Sequence, residues 1–200
     1  MILPVGSVVT KKTICEFDLL KASIEQYHDC RWIMSCDDVA YDNYKNHENI
    51  ECLNIIETDD CDHNVGSETQ KDNWMKVMMT KFDVVDKLID NHGHGLFLDC
   101  DMIFTNPIED KVLGLFTNEN IDACICQHMT NDWQNEAQHG LFNGGMFHVK
   151  NKDFVSKWRE LSKKYKEYGF YYEQQPLEFI QRNFVTANLP INYNLSLIHI

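Results

Sequence analysis

Apolar and polar positions alternate between two periods along the chain. Residues 5–10 are apolar enough for a buried strand. Residues 17–27 place Leu19, Leu20, Ile24 and Tyr27 at helical spacing. Residues 31–36 predict a second strand that ends in Asp37-Asp38, and residues 50–56 a third. The acidic stretch 57–67 predicts a loop. Over residues 68–91, Trp74, Val77, Met78, Phe82, Val85, Leu88 and Ile89 again recur at helical spacing, and His92-Gly93-His94-Gly95 stops that helix. Residues 96–104, LFLDCDMIF, predict the most apolar strand, broken only by two aspartates. Residues 121–126 and 140–149 predict further strands, and residues 151–165 and 173–184 helices. Strand-helix alternation in the first half predicts an α/β fold with a mostly parallel sheet, and the closer-spaced later strands predict a mixed arrangement. With 200 residues, one domain over 1–200 is expected, either whole or a piece of a longer chain.

The aspartates in LFLDCDMIF change this picture. A strand as apolar as Leu96-Phe97-Leu98 is expected to be buried on both faces. A carboxylate at its end is costly to desolvate without a partner, and two are worse. In an extended chain Asp99 and Asp101 point the same way, so they repel unless a cation lies between them or one is protonated. A hard divalent ion with oxygen ligands answers that. Ligands in open α/β sheets bind at the carboxyl ends of strands, where this pair falls. The competing explanation is a solvated strand end with two surface acids. Gly144-Gly145, inside a predicted strand, suggest a bulge or a close approach of backbone to a ligand.

Composition narrows the partners. The net charge of -13 argues against nucleic acid and against an anionic membrane surface. It also means that a phosphate ligand needs local help from a cation, a few Lys or Arg, or helix N-termini. Eight cysteines could pair, but Cys36, Cys52, Cys100, Cys124 and Cys126 sit in or beside apolar runs and are expected buried and reduced. The N-terminal MILPVGSVV has no basic region or long apolar core, so no signal peptide is expected. No run is long enough for a transmembrane segment. A cytoplasmic location fits these features. The sequon Asn194-Leu195-Ser196 carries little weight without a secretory signal.

Four segments together resemble GT-A fold nucleotide-diphospho-sugar glycosyltransferases, in particular the glycosyltransferase 8-like group. LFLDCDMIF is similar to that family's DxD segment. Leu141-Phe142-Asn143-Gly144-Gly145-Met146-Phe147 resembles its FNxG strand, and Glu173-Gln174-Gln175-Pro176-Leu177 its acidic-Gln helix start. Leu189-Pro190-Ile191-Asn192-Tyr193-Asn194 resembles its late LPxxYN strand. They occur in family order and at about family spacing. The resemblance implies a GT-A (Rossmann-like) sheet flanked by helices. It also implies a metal-dependent transfer from a nucleotide-sugar, a UDP-sugar, to a glycan or glycoprotein acceptor, with retention.

It further implies roles for individual residues. Asp99 and Asp101 would hold Mn²⁺ or Mg²⁺ and through it the donor diphosphate, with Cys100 between them. His199 would be a third ligand, or else a frayed chain end. Asn143, Glu173 and Gln174 would stand at the reacting carbon, although the family's usual Asp is Glu or Gln here. An acid opening a helix is also stabilised by the helix dipole, so Glu173 could simply cap it. Lys81 would reach the donor, or remain a solvated helix lysine. Thr10, Lys11, Asp37 and Asp38, which end the first two strands, would hold base and ribose, or be ordinary loop polarity. Trp133 is an acceptor platform or a hydrophobic plug. His92 and His94 read as turn residues. The rivals are a haloacid-dehalogenase-type DxD phosphatase, a nucleotidylyltransferase and an acidic cation-binding or interaction module. The first needs a later acidic pair that is absent, and the second a Gly-rich loop where TKKTIC stands.

Overall fold

The structure, a computed structural model, describes residues 2–57, 68–128, 140–170, 172–190 and 193. Its strands are Leu3–Val9 (β1), Cys30–Cys36 (β2), Ile50–Asn54 (β3), Gly95–Leu98 (β4), Ala123–Gln127 (β5), Phe142–Val149 (β6) and Thr186–Leu189 (β7). They form one sheet in the order β3-β2-β1-β4-β6-β5-β7. β1 pairs in parallel with β2 and β4, β2 with β3, and β5 with β7. Only β6 is reversed, antiparallel to both β4 and β5. The expected α/β class with a mixed, mostly parallel sheet is what the chain adopts.

The helices are Ile14–Glu25 (α1), Asp38–Tyr44 (α2), Glu68–Met79 (α3), Lys81–His92 (α4), Asp110–Thr117 (α5), Lys152–Lys163 (α6), Tyr165–Tyr168 (α7) and Leu177–Ile180 (α8). One core packs α1, α2 and α5 on one sheet face through Phe17, Leu20, Tyr44, Val112 and Phe116. The other packs α3, α4, α6 and α8 on the opposite face through Val77, Phe82, Leu88, Trp158 and Leu177. Leu96 and Leu98 lie in the first core and Phe97 in the second, so β4 is buried on both faces as its unbroken apolar run predicts.

The differences from the periodicity have physical causes. The helix expected over 68–91 is two helices that meet at Thr80, whose Oγ1 lies 2.7 Å from Ser35 Oγ and donates to the Val77 carbonyl. Helix α2 was not evident, yet Asp37 caps it by accepting from the Ala40 N–H at 2.9 Å. Helix α5 hides in a short segment whose buried Val112 and Phe116 are four apart. The strand expected over 96–104 stops at Leu98. There the Asp99 N–H donates to the Gly145 carbonyl at 2.7 Å, and the chain then turns. Asp99 and Asp101 therefore do not share a face of an extended strand: Asp99 is partly buried and Asp101 exposed. The helix expected over 173–184 is also shorter. Glu173 and Gln174 lie in a turn before α8, so Glu173 does not cap a helix.

Candidate active site

The site is built where the C-terminal end of β4 meets the N-terminal end of the reversed strand β6. Pairing of β5 with β6 jumps from Ile125↔Phe147 to Cys126↔Asn143, so Gly144, Gly145 and Met146 lie in a bulge. A larger residue at either glycine would crowd the functional side chains. A Cβ on Gly145 would stand 2.7 Å from Asp99 Oδ2 and 3.0 Å from Asn143 Oδ1, and one on Gly144 would stand 3.1 Å from Glu173 Oε1 and 3.4 Å from Lys81 Nζ. The bulge backbone is read by side chains: Gly145 N–H donates to Asn143 Oδ1 at 2.6 Å and Gly144 N–H to Gln174 Oε1 at 3.0 Å.

Under this floor lies a buried ion pair. Lys81 is 1% exposed, and its Nζ is 2.5 Å from Glu173 Oε1 and 3.3 Å from the Gly144 carbonyl. The ammonium also sits over the Phe97 ring, 5.1 Å from its centroid. Burial alone would lower the Lys81 pKa, but the negative Glu173 and Asp99 nearby hold it above its ordinary value. The Glu173 segment is fixed in turn, because its carbonyl accepts from Trp158 Nε1 at 2.5 Å and from Ser162 Oγ at 3.1 Å. Asp99 has no such exclusive partner. Burial pushes its carboxyl up to about 7 against the pull of Lys81, and the neighbouring Asp101 and Glu173 add to the rise.

Cys100 points away from this cluster. Its Sγ lies 2.9 Å from the Val8 carbonyl and 3.4 Å from Ser7 Oγ, which ties the turn after β4 to the end of β1. Asp37 and Lys11 meet at that end, with the Lys11 N–H 2.7 Å from Asp37 Oδ2. Thr10 N–H donates to Thr13 Oγ1, and Asp38 accepts from Asn54 Nδ2 at 2.8 Å. The strand ends expected to hold base and ribose thus form one rim, joined through Cys100 to the aspartate turn.

The model of the nucleotide-diphospho-sugar transferase family matches residues 28–195. The chain belongs to that family. No curated protein matches it. Among solved structures, the apo glycosyltransferase GlyE of Streptococcus pneumoniae TIGR4 is 15% identical with a TM-score of 0.65, covering 97% of this chain and 46% of that one. The galactosyltransferase LgtC, in complex with donor and acceptor sugar analogues, is 14% identical with a TM-score of 0.55, covering 93% and 73%. The mannosyltransferase Ktr4p of S. cerevisiae, in complex with GDP, is 11% identical with a TM-score of 0.56, covering 92% and 66%. These likenesses show the GT-A fold. The chain spans less than half the length of GlyE.

In this member of the family, Lys81, Asp99, Asn143, Gly144, Gly145, Glu173 and Gln174 come together from four separate segments. Asp101 is two residues beyond Asp99 on an exposed turn. His199 and Trp133 lie outside the described residues, as do Asn194-Leu195-Ser196. The donor set suits a hard divalent cation. Asp99 is buried beside the Lys81–Glu173 pair, and a cation would need Asp101, two residues on, to turn toward it as a second oxygen ligand. Among the described residues no group of three His, Cys, Asp or Glu is placed to hold a metal ion.

Sequence reasoning did not separate Lys81 from a solvated lysine. Its place at the helix break offered a signal, because the chain turns at Thr80 and aims the next side chain inward. His148 was missed altogether. It is fully buried, stacks on Phe116 at 4.3 Å, and has Nε2 2.9 Å from His94 Nδ1. His94, just before β4, is thus half of a histidine pair as well as a turn residue. No helix among the described residues is long and apolar enough to cross a membrane.

Proposed function

We propose that this transferase moves a sugar from a UDP-sugar to a glycan or protein acceptor, with retention, using Mn²⁺ or Mg²⁺ held by Asp99 and Asp101. The observation that carries the reading is the glycine floor: Gly145 leaves only enough room for the Asp99 carboxylate against the strand that presents Asn143, and Gly144 beside it lies against Glu173 and Gln174 from the turn before α8. Bound there, the cation would offset the diphosphate charge that develops as the nucleotide leaves. The chain's own residues then position the sugar. Gln174 is oriented by the Gly144 N–H, Asn143 by the Gly145 N–H, and Glu173 by Lys81. The Thr10, Lys11, Asp37 and Asp38 rim is suited to the nucleoside, and His199 remains a candidate third ligand.

Retention is supported by the state of Glu173. An inverting enzyme needs a positioned carboxylate free to take a proton. Glu173 Oε1 is 2.5 Å from the buried Lys81 ammonium, so that oxygen is already engaged rather than turned toward an acceptor. A reducing compartment, the cytoplasm, is the location we propose, since the described cysteines are all unpaired thiols.

The test is a screen of UDP- and GDP-sugars for hydrolysis by the purified chain with and without Mn²⁺, followed by proton NMR of the anomeric product. We expect metal-dependent turnover of a UDP-sugar that Asp101→Ala abolishes while its melting curve stays as in wild type. Full turnover by Asp101→Ala would overturn the metal assignment, and an inverted product would overturn retention.

A further inference from the structure

Beside the site, three aromatic rings form a row on the surface. Tyr168 closes α7 and is 49% exposed, while Phe179 on α8 is 52% exposed. Partly buried Phe170 lies between them, 5.5 Å from the Tyr168 ring and 5.9 Å from the Phe179 ring, with tilts of 35° and 36°. None of the three belongs to either core. Keeping this much apolar surface in water forgoes a gain that burial would bring, so the row calls for an occupant.

The row is joined to the site in two ways. The segment from Phe170 to Phe179 itself carries Glu173 and Gln174. The loop that enters β6 also abuts that segment: Leu141 N–H donates to Glu178 Oε1 at 2.7 Å, and a Cβ on Gly140 would stand 3.2 Å from Gln175 Cα. Leu141 is 43% exposed and stands two residues before Asn143. Phe179 is therefore next in sequence to Glu178, which holds the loop that leads into Asn143.

We propose that this row binds a neutral glycan and presents it as the acceptor, an inference that rests on the transferase reading above. A sugar ring offers an apolar face of C–H groups that stacks on an aromatic ring while its hydroxyls stay in water, and the Tyr168 hydroxyl adds a polar handle at the end of the row. The glycan proposed is a neutral one because the protein's net charge of -13 disfavours an anionic acceptor. The exposed parts of the rings offer roughly 300 Å², well short of the ~800 Å² per partner of a stable protein interface.

The experiment uses the full chain, Phe179→Ala, and Phe179→Trp as the conservative control. Two readouts are taken: acceptor-independent hydrolysis of the UDP-sugar, and binding and transfer on an array of short neutral gluco-, galacto-, manno- and N-acetylglucosaminyl chains. We expect wild type and Phe179→Trp to bind and modify the same neutral glycans. Phe179→Ala should lose about tenfold or more in acceptor KM, a stacking-sized effect, with donor hydrolysis and donor KM unchanged. Unchanged acceptor KM in Phe179→Ala would overturn the inference. So would acceptance of only acidic glycans or peptides, or a dimer that Phe179→Ala dissociates. If wild type hydrolyses no nucleotide-sugar, the transferase reading itself fails and this inference with it. Hydrolysis without any neutral-glycan binding sinks this inference alone.

Discussion

Replacing Gly145 with alanine places one methyl group at the tightest point of the site. The new Cβ would lie 2.7 Å from Asp99 Oδ2, where ordinary contact begins at 3.4 Å, so the oxygen must recede by 3.4 − 2.7 = 0.7 Å. Gly145 does not occupy the left-handed backbone region, so the substitution adds no backbone strain. Asp99 has a short side chain and is only partly buried as a whole residue, so its carboxylate can turn aside. The stability loss should therefore stay at the low end of overpacking, about 1 kcal/mol. Activity should suffer more, because displacements near 1 Å at reacting groups cost on the order of 100-fold. Gly6→Ala is the control. Its Cβ would meet Val84 Cγ1 at 2.5 Å and Leu88 Cδ1 at 2.8 Å inside the core between β1 and α4. It should cost about 1–3 kcal/mol with no specific loss of turnover by the folded fraction. Urea denaturation and kcat/KM for donor hydrolysis, measured on both variants, separate the two. Wild-type kcat/KM in Gly145→Ala would refute the claim that this glycine makes room for a functional carboxylate.

Lys81→Met leaves Glu173 buried without a counter-charge and should destabilise the fold by about 3–5 kcal/mol in urea melts, whereas Lys81→Met with Glu173→Gln should recover most of that; equal losses in both would show that the pair is not coupled. Burial, with the neighbouring His94 and Lys150 adding to it, pushes His148 well below its ordinary 6.5, and burial lowers His94 as well. The folded state thus resists protons that the unfolded chain accepts. Stability is full above about pH 6.5 and falls as pH drops, by about 1.4 kcal/mol per unit for one such group. His148→Phe should flatten the difference between urea melts at pH 7.5 and pH 5.5, and an unchanged difference would contradict the assignment.

Most of the first half of the fold was legible because its strands are rich in apolar residues and α1, α3 and α4 carry helical stripes, whereas α2 is too short to show one. The bulge at Gly144-Gly145 was legible because two glycines have little other use inside a strand. What escaped was decided by contacts between distant segments. The aspartate strand looks extended through Phe104, but the Asp99 N–H is captured by the Gly145 carbonyl from a strand more than forty residues away. Glu173 looked like a capping acid because its neighbours in sequence are helical. Its partner, Lys81, is 92 residues distant and invisible to any local pattern. His148 reads as one more residue of an apolar strand, and only Phe116 and His94 give its ring a place.

The central claim is that Asp99 and Asp101 bind a nucleoside diphosphate through a divalent cation. Thermal-shift titration of the intact chain with UDP, with and without Mn²⁺, tests it most directly. The account predicts a rise in Tm with UDP that requires Mn²⁺ and is lost in Asp101→Ala; a ligand at a hundred times its Kd stabilises by about 2.7 kcal/mol. Equal stabilisation without the metal, or none by any nucleoside diphosphate in its presence, would contradict it.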